Sequence, residues 1–329
     1  MIEVWGDSIH GTVTPQRYLL NVMFAGYIPM GNSYYELIEQ ITLVTGRMKA
    51  LPRWTQLGAI IGLEGGSAEV RPKVKELLRH NVSVSAVWLQ DWVGLRSAFD
   101  GDRLVWNWQL NRDHYPDWDD LVDLLWEEGV RVLSYINPFF SNPEGHVANI
   151  SRNLFSEGIL NDYFVKSRHG SPYLLRSGSI EFHMVDLTNP SARVWMKQVI
   201  KDHMLRDTKV SGWMADFGEY LPFDAVLFNS SKDPALYHNE YPEEWAKLNE
   251  EAVSEFEAEQ RRSDRSLWRR TVDGIRGLTR RETYKCVDDE CGRGVLYFLR
   301  SAWLRSPTYS RAFWIGDQMV VSNIFFMEL

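Results

Sequence analysis

Carboxylate, amide and guanidinium side chains stand directly after several short apolar segments of this sequence. In chain order these polar residues are Glu64, Gln90, Asp91, Asn137, Asp216, Glu219, Arg300 and Asp317. Four tryptophans stand close to them: Trp88, Trp92, Trp213 and Trp314. Glycoside hydrolysis needs one carboxylate to attack carbon and a second to protonate the leaving oxygen, and flat aromatic faces suit a sugar ring. For any one of these carboxylates alone, a helix cap or an ion pair with arginine is an equally good interpretation.

A repeated unit of apolar segment, turn and amphipathic helix positions these side chains. The pattern predicts strands at 58–63, 82–89, 130–136, 212–215, 295–299 and 312–315, and helices at 69–79, 118–128 and 191–205. Continuous apolar strands that alternate with helices indicate a parallel α/β architecture, and more than four units favour a (β/α)8 TIM barrel over an open sheet. Residues just after the strands of a barrel lie at one face, so we expect the polar side chains to meet at one mouth.

Two stretches depart from this repeat and define the predicted domains. Residues 1–53 combine strand and turn material with a helix over 33–47, which predicts the end of an N-terminal β-sandwich-like domain and a connecting helix. Residues 54–329 are predicted to form an incomplete catalytic barrel that contains an arginine-rich insertion at about 253–294. A charge run of that kind is typical of a solvated segment.

Composition excludes several classes of protein. The 329 residues include 36 Lys and Arg against 44 Asp and Glu, a formal net charge of −8 that disfavours binding to nucleic acid phosphates. The two cysteines, Cys286 and Cys291, have a spacing that is a poor zinc signal, and no His and Asp cluster suggests another metal. The first residues do not read as a signal peptide, and no apolar run predicts a membrane span. We expect a soluble protein, and its compartment stays open.

Two motifs resemble a known enzyme family. GWMADFGEYLP at 212–222 and FWIGDQ at 313–318 are similar to glycoside hydrolase family 31, whose members are retaining α-glycosidases with a barrel catalytic domain. VWLQDWVG at 87–94 and RLVWNW at 103–108 resemble its sulfoquinovosidase branch, which hydrolyses α-glycosides of a sulfonated sugar. The resemblance covers residues 33–251 and 295–319. It implies a fragment, with the barrel truncated at its C-terminal end.

The resemblance implies the two catalytic residues. Asp216, in WMADFGE, is the expected nucleophile, and Asp317, in WIGDQ, is the expected general acid and base. Retaining enzymes place the two carboxyl groups about 5 to 5.5 Å apart. The expected substrate-binding residues are Glu64, Gln90, Asp91, Arg103, Trp106, Trp213, Glu219, Arg300 and Trp314.

Arg103 and Trp106 are the residues that the resemblance links to the sulfonate. A guanidinium presents several N–H donors to an oxyanion, and an indole adds one more beside an apolar wall. Without the family motif, a solvated loop charge and a core anchor are the better interpretations of these two residues. The resemblance also implies that Gln90 binds sugar hydroxyls and that Arg300 contacts the sugar near the reacting carbon. Glu64 departs from the glutamine or lysine of better-known members and would not help to hold a sulfonate.

The expected partner is therefore a small carbohydrate, an α-glycoside, with a sulfonated sugar favoured over a neutral one. No cofactor is implied because carboxylates suffice for this hydrolysis. Two alternatives stay open: a family-31 α-glucosidase-type enzyme that acts on a neutral sugar, and a catalytically incomplete fragment without activity. The sequence does not indicate the oligomeric state.

Overall fold

The computed structural model describes the backbone of residues 2–4, 16–18, 29–99, 101–274 and 294–314, and the side chains of 29–99, 101–263 and 294–314. The chain divides into two compact units, Met1–Leu43 and Val44–Leu329. In the first unit, β1 (Ile2–Val4) pairs antiparallel with β2 (Gln16–Tyr18). The cysteines and the last fifteen residues, with Asp317 among them, lie outside the described residues.

Helix α1 (Tyr34–Thr45) begins after Ser33, whose side chain caps it. The Glu36 amide donates to Ser33 Oγ at 3.2 Å, which satisfies one amide of the first turn, and Glu36 Oε2 accepts from the Asn32 amide at 2.6 Å, which fixes the preceding backbone. The predicted helix over 33–47 is confirmed, and it ends two residues earlier than expected.

The second unit contains strands and helices in the predicted alternation. Its strands are β3 (Ala59–Leu63), β4 (Val84–Leu89), β5 (Leu95–Ala98), β6 (Gly101–Leu104), β7 (Arg131–Ile136), β8 (Phe139–Phe140), β9 (Leu175–Ser177), β10 (Ile180–Met184), β11 (Gly212–Ala215), β12 (Leu296–Leu299) and β13 (Ala312–Phe313). Its helices are α2 (Gly66–Arg79), α3 (Trp118–Glu127), α4 (Leu154–Leu160), α5 (Pro190–Val199), which continues as a π-helix over Ile200–Asp207, and α6 (Pro234–Gly274).

Six of these strands form one parallel sheet in the order β3-β4-β7-β11-β12-β13. Spatial order follows chain order, and helices connect most neighbours, as a βα repeat requires. The predicted parallel α/β architecture is confirmed. Gly212 begins β11 where the backbones approach closely, because an added Cβ would lie 1.8 Å from the Leu296 carbonyl oxygen. Only glycine fits there without displacing β12.

Two insertions follow strand ends and were not predicted from the sequence. The hairpin of β5 and β6 follows β4, and Arg96 lies directly opposite Arg103 in its register. A three-stranded antiparallel sheet, in the order β8-β10-β9, follows β7. Both insertions stand at the C-terminal ends of parallel strands, the edge that carries active sites in βα barrels.

Tryptophan packs the core more than it lines an open surface. Trp92, Trp108, Trp118, Trp213 and Trp245 are completely buried. The indole N–H of Trp92 donates to the Tyr135 carbonyl at 2.8 Å, and that of Trp213 donates to Asn249 Oδ1 at 2.8 Å. The indoles of Trp92 and Trp213 therefore connect the sheet to neighbouring elements while their own donors are satisfied.

Helix α6 passes through the start of the predicted arginine-rich insertion. Ala252 and Val253 are buried, and Lys201 Nζ lies 3.0 Å from both Glu255 Oε2 and Glu259 Oε1. Glu255 and Glu259 of α6 therefore pack onto the π-helix, and the insertion at about 253–294 stays a prediction. Most of the arginine run lies beyond the described side chains. Over the described part of the chain, no helix combines the length and apolarity that a membrane span requires.

Candidate active site

Asp216 stands immediately after β11 and is almost fully buried. Its backbone N–H extends the ladder to β7 by donating to the Ile136 carbonyl at 2.8 Å. The Tyr135 hydroxyl donates to Asp216 Oδ2, and the Phe217 amide donates to Oδ1 at 2.8 Å. The carboxylate is thus held in one orientation by two neighbouring strands.

Arg300 follows β12 and connects Asp216 to Glu219. Its Nη1 lies 3.3 Å from Asp216 Oδ1, and its Nη2 donates to Glu219 Oε1. The guanidinium lies over the Phe217 ring, with Cζ 4.0 Å from the ring centroid. Two carboxylates therefore share one cation, whose planar face rests on an aromatic ring.

Burial raises the pKa of Asp216 above its ordinary value, and the Tyr135 hydroxyl and the Arg300 charge oppose that rise. The pKa of Tyr135 lies well above its usual range, first because the phenol is buried and then because the Asp216 charge disfavours ionisation. The phenol therefore stays protonated and continues to donate to the carboxylate. Asn137 Nδ2 in turn donates to the Tyr135 oxygen at 3.1 Å.

Phe217 links this carboxylate cluster to the hairpin. Its φ of +59° lies in the left-handed region, which a bulky residue rarely adopts, and such strain concentrates at functional sites. The Ser301 hydroxyl holds the turn by donating to the Phe217 carbonyl at 2.7 Å. The ring centroid of Trp106 lies 5.9 Å from that of Phe217.

Trp106, which follows the hairpin strand β6, contacts this region through Phe217. Trp106 is buried among aromatic rings, with centroids 5.0 Å from Phe182 and 5.5 Å from Phe139. Its backbone is fixed by two bonds to Ser141, whose hydroxyl accepts at 3.1 Å and whose amide donates at 3.0 Å. Arg103 is half-buried on β6, three residues before Trp106.

Gln90 and Glu64 stand where the sequence predicts. Gln90 is half-buried in the 3₁₀ turn Gln90–Val93 that directly follows β4. Glu64 is exposed after β3, and both burial and the charge of Asp91 raise its pKa.

Asp91 is completely buried, and its contacts differ from those expected of a substrate ligand. Its Oδ2 accepts from the amides of Gly65 and Gly66 at 2.8 and 3.3 Å, and His114 Nε2 lies 2.6 Å from the same oxygen. The Tyr115 hydroxyl donates to Oδ1. Protein groups therefore occupy both oxygens, and the role of Asp91 in substrate binding stays a prediction. Asp91 fixes the turn that follows Glu64.

Two other tryptophans predicted to bind substrate differ in their burial. Trp213, expected to contact substrate, is completely buried and stacks on Tyr297 at a centroid distance of 5.8 Å, so it packs the core instead. Trp314 is half-buried, and its amide donates to the carbonyl of Leu299, the residue before Arg300.

Three residues of the cluster were absent from the substrate-binding and catalytic residues predicted from the sequence: Tyr135, Asn137 and Phe217. Tyr135 and Asn137 are two residues apart at the end of β7, and period-2 alternation would have placed both on one face. Phe217 follows the predicted nucleophile directly, but its left-handed backbone has no signal in its residue type. Among the described residues, no group of three or more His, Cys, Asp or Glu could hold a metal ion.

Related proteins have been named sulfoquinovosidases. The sulfoquinovosidase of Escherichia coli (strain K12) is 34% identical over 289 residues, 88% of this chain and 36% of that protein. The sulfoquinovosidase of Agrobacterium fabrum (strain C58) is 36% identical over 223 residues, 68% of this chain and 32% of that protein. A solved family-31 sulfoquinovosidase from E. rectale, in complex with the aza-sugar inhibitor IFGSQ, superposes with a TM-score of 0.71 at 34% identity.

That solved structure matches 88% of this chain and 37% of its own. The chain therefore spans about a third of the length of the relatives it matches. The profile of the glycosyl hydrolases family 31 TIM-barrel domain matches residues 48–324. The six-stranded parallel sheet, with Asp216 and Arg300 at its C-terminal edge, is part of that barrel. The chain belongs to glycoside hydrolase family 31.

Proposed function

We propose that the protein is a retaining exo-α-glycosidase that hydrolyses α-sulfoquinovosides by double displacement, with Asp216 as its nucleophile. The observation that carries this proposal is the environment of Asp216: a buried carboxylate, oriented by Tyr135 and Phe217 and paired with Arg300, at the C-terminal edge of a barrel sheet. The names of the relatives at 34% and 36% identity support the substrate class.

In the first step, an Asp216 oxygen attacks the anomeric carbon and the aglycone oxygen leaves with a proton from a carboxylic acid, for which we propose Asp317. Water then cleaves the glycosyl-enzyme ester while the same group accepts the proton of the water. Arg300 and Tyr135 favour the ionised form of the nucleophile, against the effect of its burial. Because the Arg300 side chain touches Asp216, it is also placed to contact the sugar near the reacting carbon.

The sulfonate is proposed to bind to Arg103 and Trp106. The contact between the Trp106 and Phe217 rings supports this assignment, because it brings the hairpin next to the residue that follows the nucleophile. A guanidinium forms charge-assisted hydrogen bonds to an oxyanion, and these are roughly twice as strong as neutral ones. Glu64, Gln90, Glu219 and Trp314 remain proposed sugar contacts.

Paired substrates test the proposal. The protein is assayed on 4-nitrophenyl α-sulfoquinovoside and on 4-nitrophenyl α-glucoside, which differ in the group on carbon 6. We expect a higher kcat/KM for the sulfonated substrate, and Arg103→Gln should reduce it about tenfold to a hundredfold because a hydrogen bond to a charged group is lost. The rate on the glucoside should change little.

Arg79→Gln removes an equal charge from helix α2 and serves as the matched control. A preference for the glucoside would contradict the sulfonate assignment and favour a family-31 enzyme for neutral sugars. Absence of hydrolysis of both substrates would favour a catalytically incomplete chain.

A further inference from the structure

A polar cleft lies between the two insertions that follow β4 and β7. It has a volume of about 510 Å³ and is formed by the hairpin, the segment after β8 and the strands β9 and β10. Its lining includes Arg96, Ser141, Asn142, His146, Arg176 and Glu181. A volume in this range suits a small organic molecule, and the polar lining suits one that bears hydroxyls.

One N–H donor of Arg96, a residue that lines the cleft, has no acceptor in the part of the chain that the structure describes. Its Nη2 donates to the Ser179 carbonyl at 2.7 Å, which fixes the side chain against the turn between β9 and β10. Its Nε is buried and has no acceptor among the described residues. A buried N–H without an acceptor costs about 1–3 kcal/mol, so such groups are usually satisfied by a ligand or water.

The cleft also carries an uncompensated positive charge. Arg176 is neutralised by Glu181, at 2.7 Å between Nη2 and Oε1, whereas Arg96 forms no ion pair within the described part of the chain. Arg103 lies directly opposite Arg96 in the register of the hairpin. His146 offers a neutral N–H donor at pH 7, since burial and the Arg96 charge lower its pKa.

The cleft and the proposed sulfonate site are separate, but residues at the cleft contact Trp106. Ser141, in the cleft, forms both backbone contacts with Trp106. Phe182, next to Glu181 on β10, packs against the Trp106 ring. Arg96 lines the cleft, and Arg103 does not.

We propose that this cleft is a second binding site, for a hydroxyl-bearing organic monoanion, and that Arg96 is its anion contact. One uncompensated charge, an unused guanidinium donor and the surrounding hydroxyl and amide groups match a singly charged ligand of sugar size. The choice of a sulfonated sugar as the probe rests on the proposed function, whereas the requirement for one negative charge rests on the cleft alone.

Isothermal titration calorimetry with sulfoquinovose tests the proposal, with glucose as the neutral probe. We expect the unmodified protein to bind two equivalents of sulfoquinovose, one in the cleft and one at Arg103. Arg96→Gln should weaken the cleft event about tenfold to a hundredfold, as loss of a charged hydrogen bond predicts. Arg103→Gln should remove the other event and leave the cleft event intact. Glucose should not occupy the cleft.

Further variants keep the result interpretable. Arg96→Lys retains the charge and should bind better than Arg96→Gln, which separates loss of the anion contact from loss of the fold. Arg79→Gln changes a residue of helix α2 that does not line the cleft, so it should leave both binding events unchanged. Binding that is identical in the unmodified protein and in Arg96→Gln would overturn the proposal. Failure of the proposed function would appear separately, as an Arg103→Gln variant that loses neither binding nor sulfonate preference.

Discussion

Asp216 is subject to opposing influences that match the needs of a nucleophile. Burial favours its neutral form, while Tyr135 and Arg300 favour the charged form, and burial exceeds them so that the pKa is raised. A carboxylate that is ionised but poorly solvated is more reactive than one in water, because less solvent must be displaced when it attacks. Each partner therefore has a measurable effect on the pH at which the site becomes active.

Tyr135→Phe removes one hydroxyl from this site. Since that hydroxyl stabilises the charged form of Asp216, the pKa of Asp216 should rise further, and the acid limb of kcat/KM against pH should move to higher pH. We expect kcat/KM to fall about tenfold to a hundredfold. Tyr115→Phe is the matched control, because it removes the hydroxyl that donates to Asp91, another buried carboxylate. An acid limb that does not move in Tyr135→Phe, or that moves equally in both variants, would contradict this account.

The ionised Asp216 side chain should also lower the free energy of unfolding at neutral pH. Its pKa is raised in the folded state, so the folded protein binds the proton more tightly and stability falls as the pH rises from about 3.8 through the folded pKa. Asp216→Asn removes this penalty. We expect thermal denaturation to give a midpoint for the variant at least as high as that of the unmodified protein at pH 7, with the difference shrinking toward pH 4. A variant whose midpoint falls below that of the unmodified protein as the pH rises toward 7 would show that the carboxylate is net stabilising.

The sequence distinguishes the roles of these carboxylates only partly. Asp91 and Asp216 both follow apolar strands, and nothing in their residue type shows that Gly65, Gly66, His114 and Tyr115 occupy the oxygens of Asp91. The distinction depends on contacts between residues far apart in the chain. The role of Asp216 as nucleophile and that of Asp317 as acid and base stay predictions.

At the scale of elements, continuous apolar runs made the parallel strands predictable, with ends within two residues of those expected. The hairpin and the β8-β10-β9 sheet were missed because their strands have two to five residues and contain charges such as Arg96, Arg103 and Arg176. The formation of short antiparallel strands depends more on contacts with neighbouring strands than on the residue pattern within each strand. Yet these two insertions carry Arg103, Trp106 and the cleft around Arg96.

The contact between α6 and the π-helix gives a prediction for stability. Lys201 is mostly buried between Glu255 and Glu259, so Lys201→Ala should lower the free energy of unfolding by about 1–3 kcal/mol. Lys232→Ala removes an exposed ion pair with Glu240 and should cost about 0–1 kcal/mol. Chemical denaturation measures both. Equal costs would mean that residues 253–259 contribute little to the packing of the barrel.

At the scale of the molecule, the carboxyl ends of the parallel strands hold the described groups around Asp216. Asp216 and Arg300 follow neighbouring strands, and the two insertions extend the same edge around them. Residues 48–324 match the family barrel, which explains why separate motifs meet at one place although they are about a hundred residues apart in the chain. The division of the chain at residues 53 and 54, with a β-domain before it, stays a proposal.

Covalent trapping of Asp216 tests the central claim most directly. A glycosyl fluoride of the sulfonated sugar, with a second fluorine that slows hydrolysis of the glycosyl-enzyme, needs little acid assistance to react, so it reports on the nucleophile separately from Asp317. The protein is incubated with the reagent, and its intact mass and peptides are measured. We predict one added glycosyl group, on the peptide that contains Asp216, and none in Asp216→Asn. A label on another residue, or equal labelling of Asp216→Asn, would contradict the account.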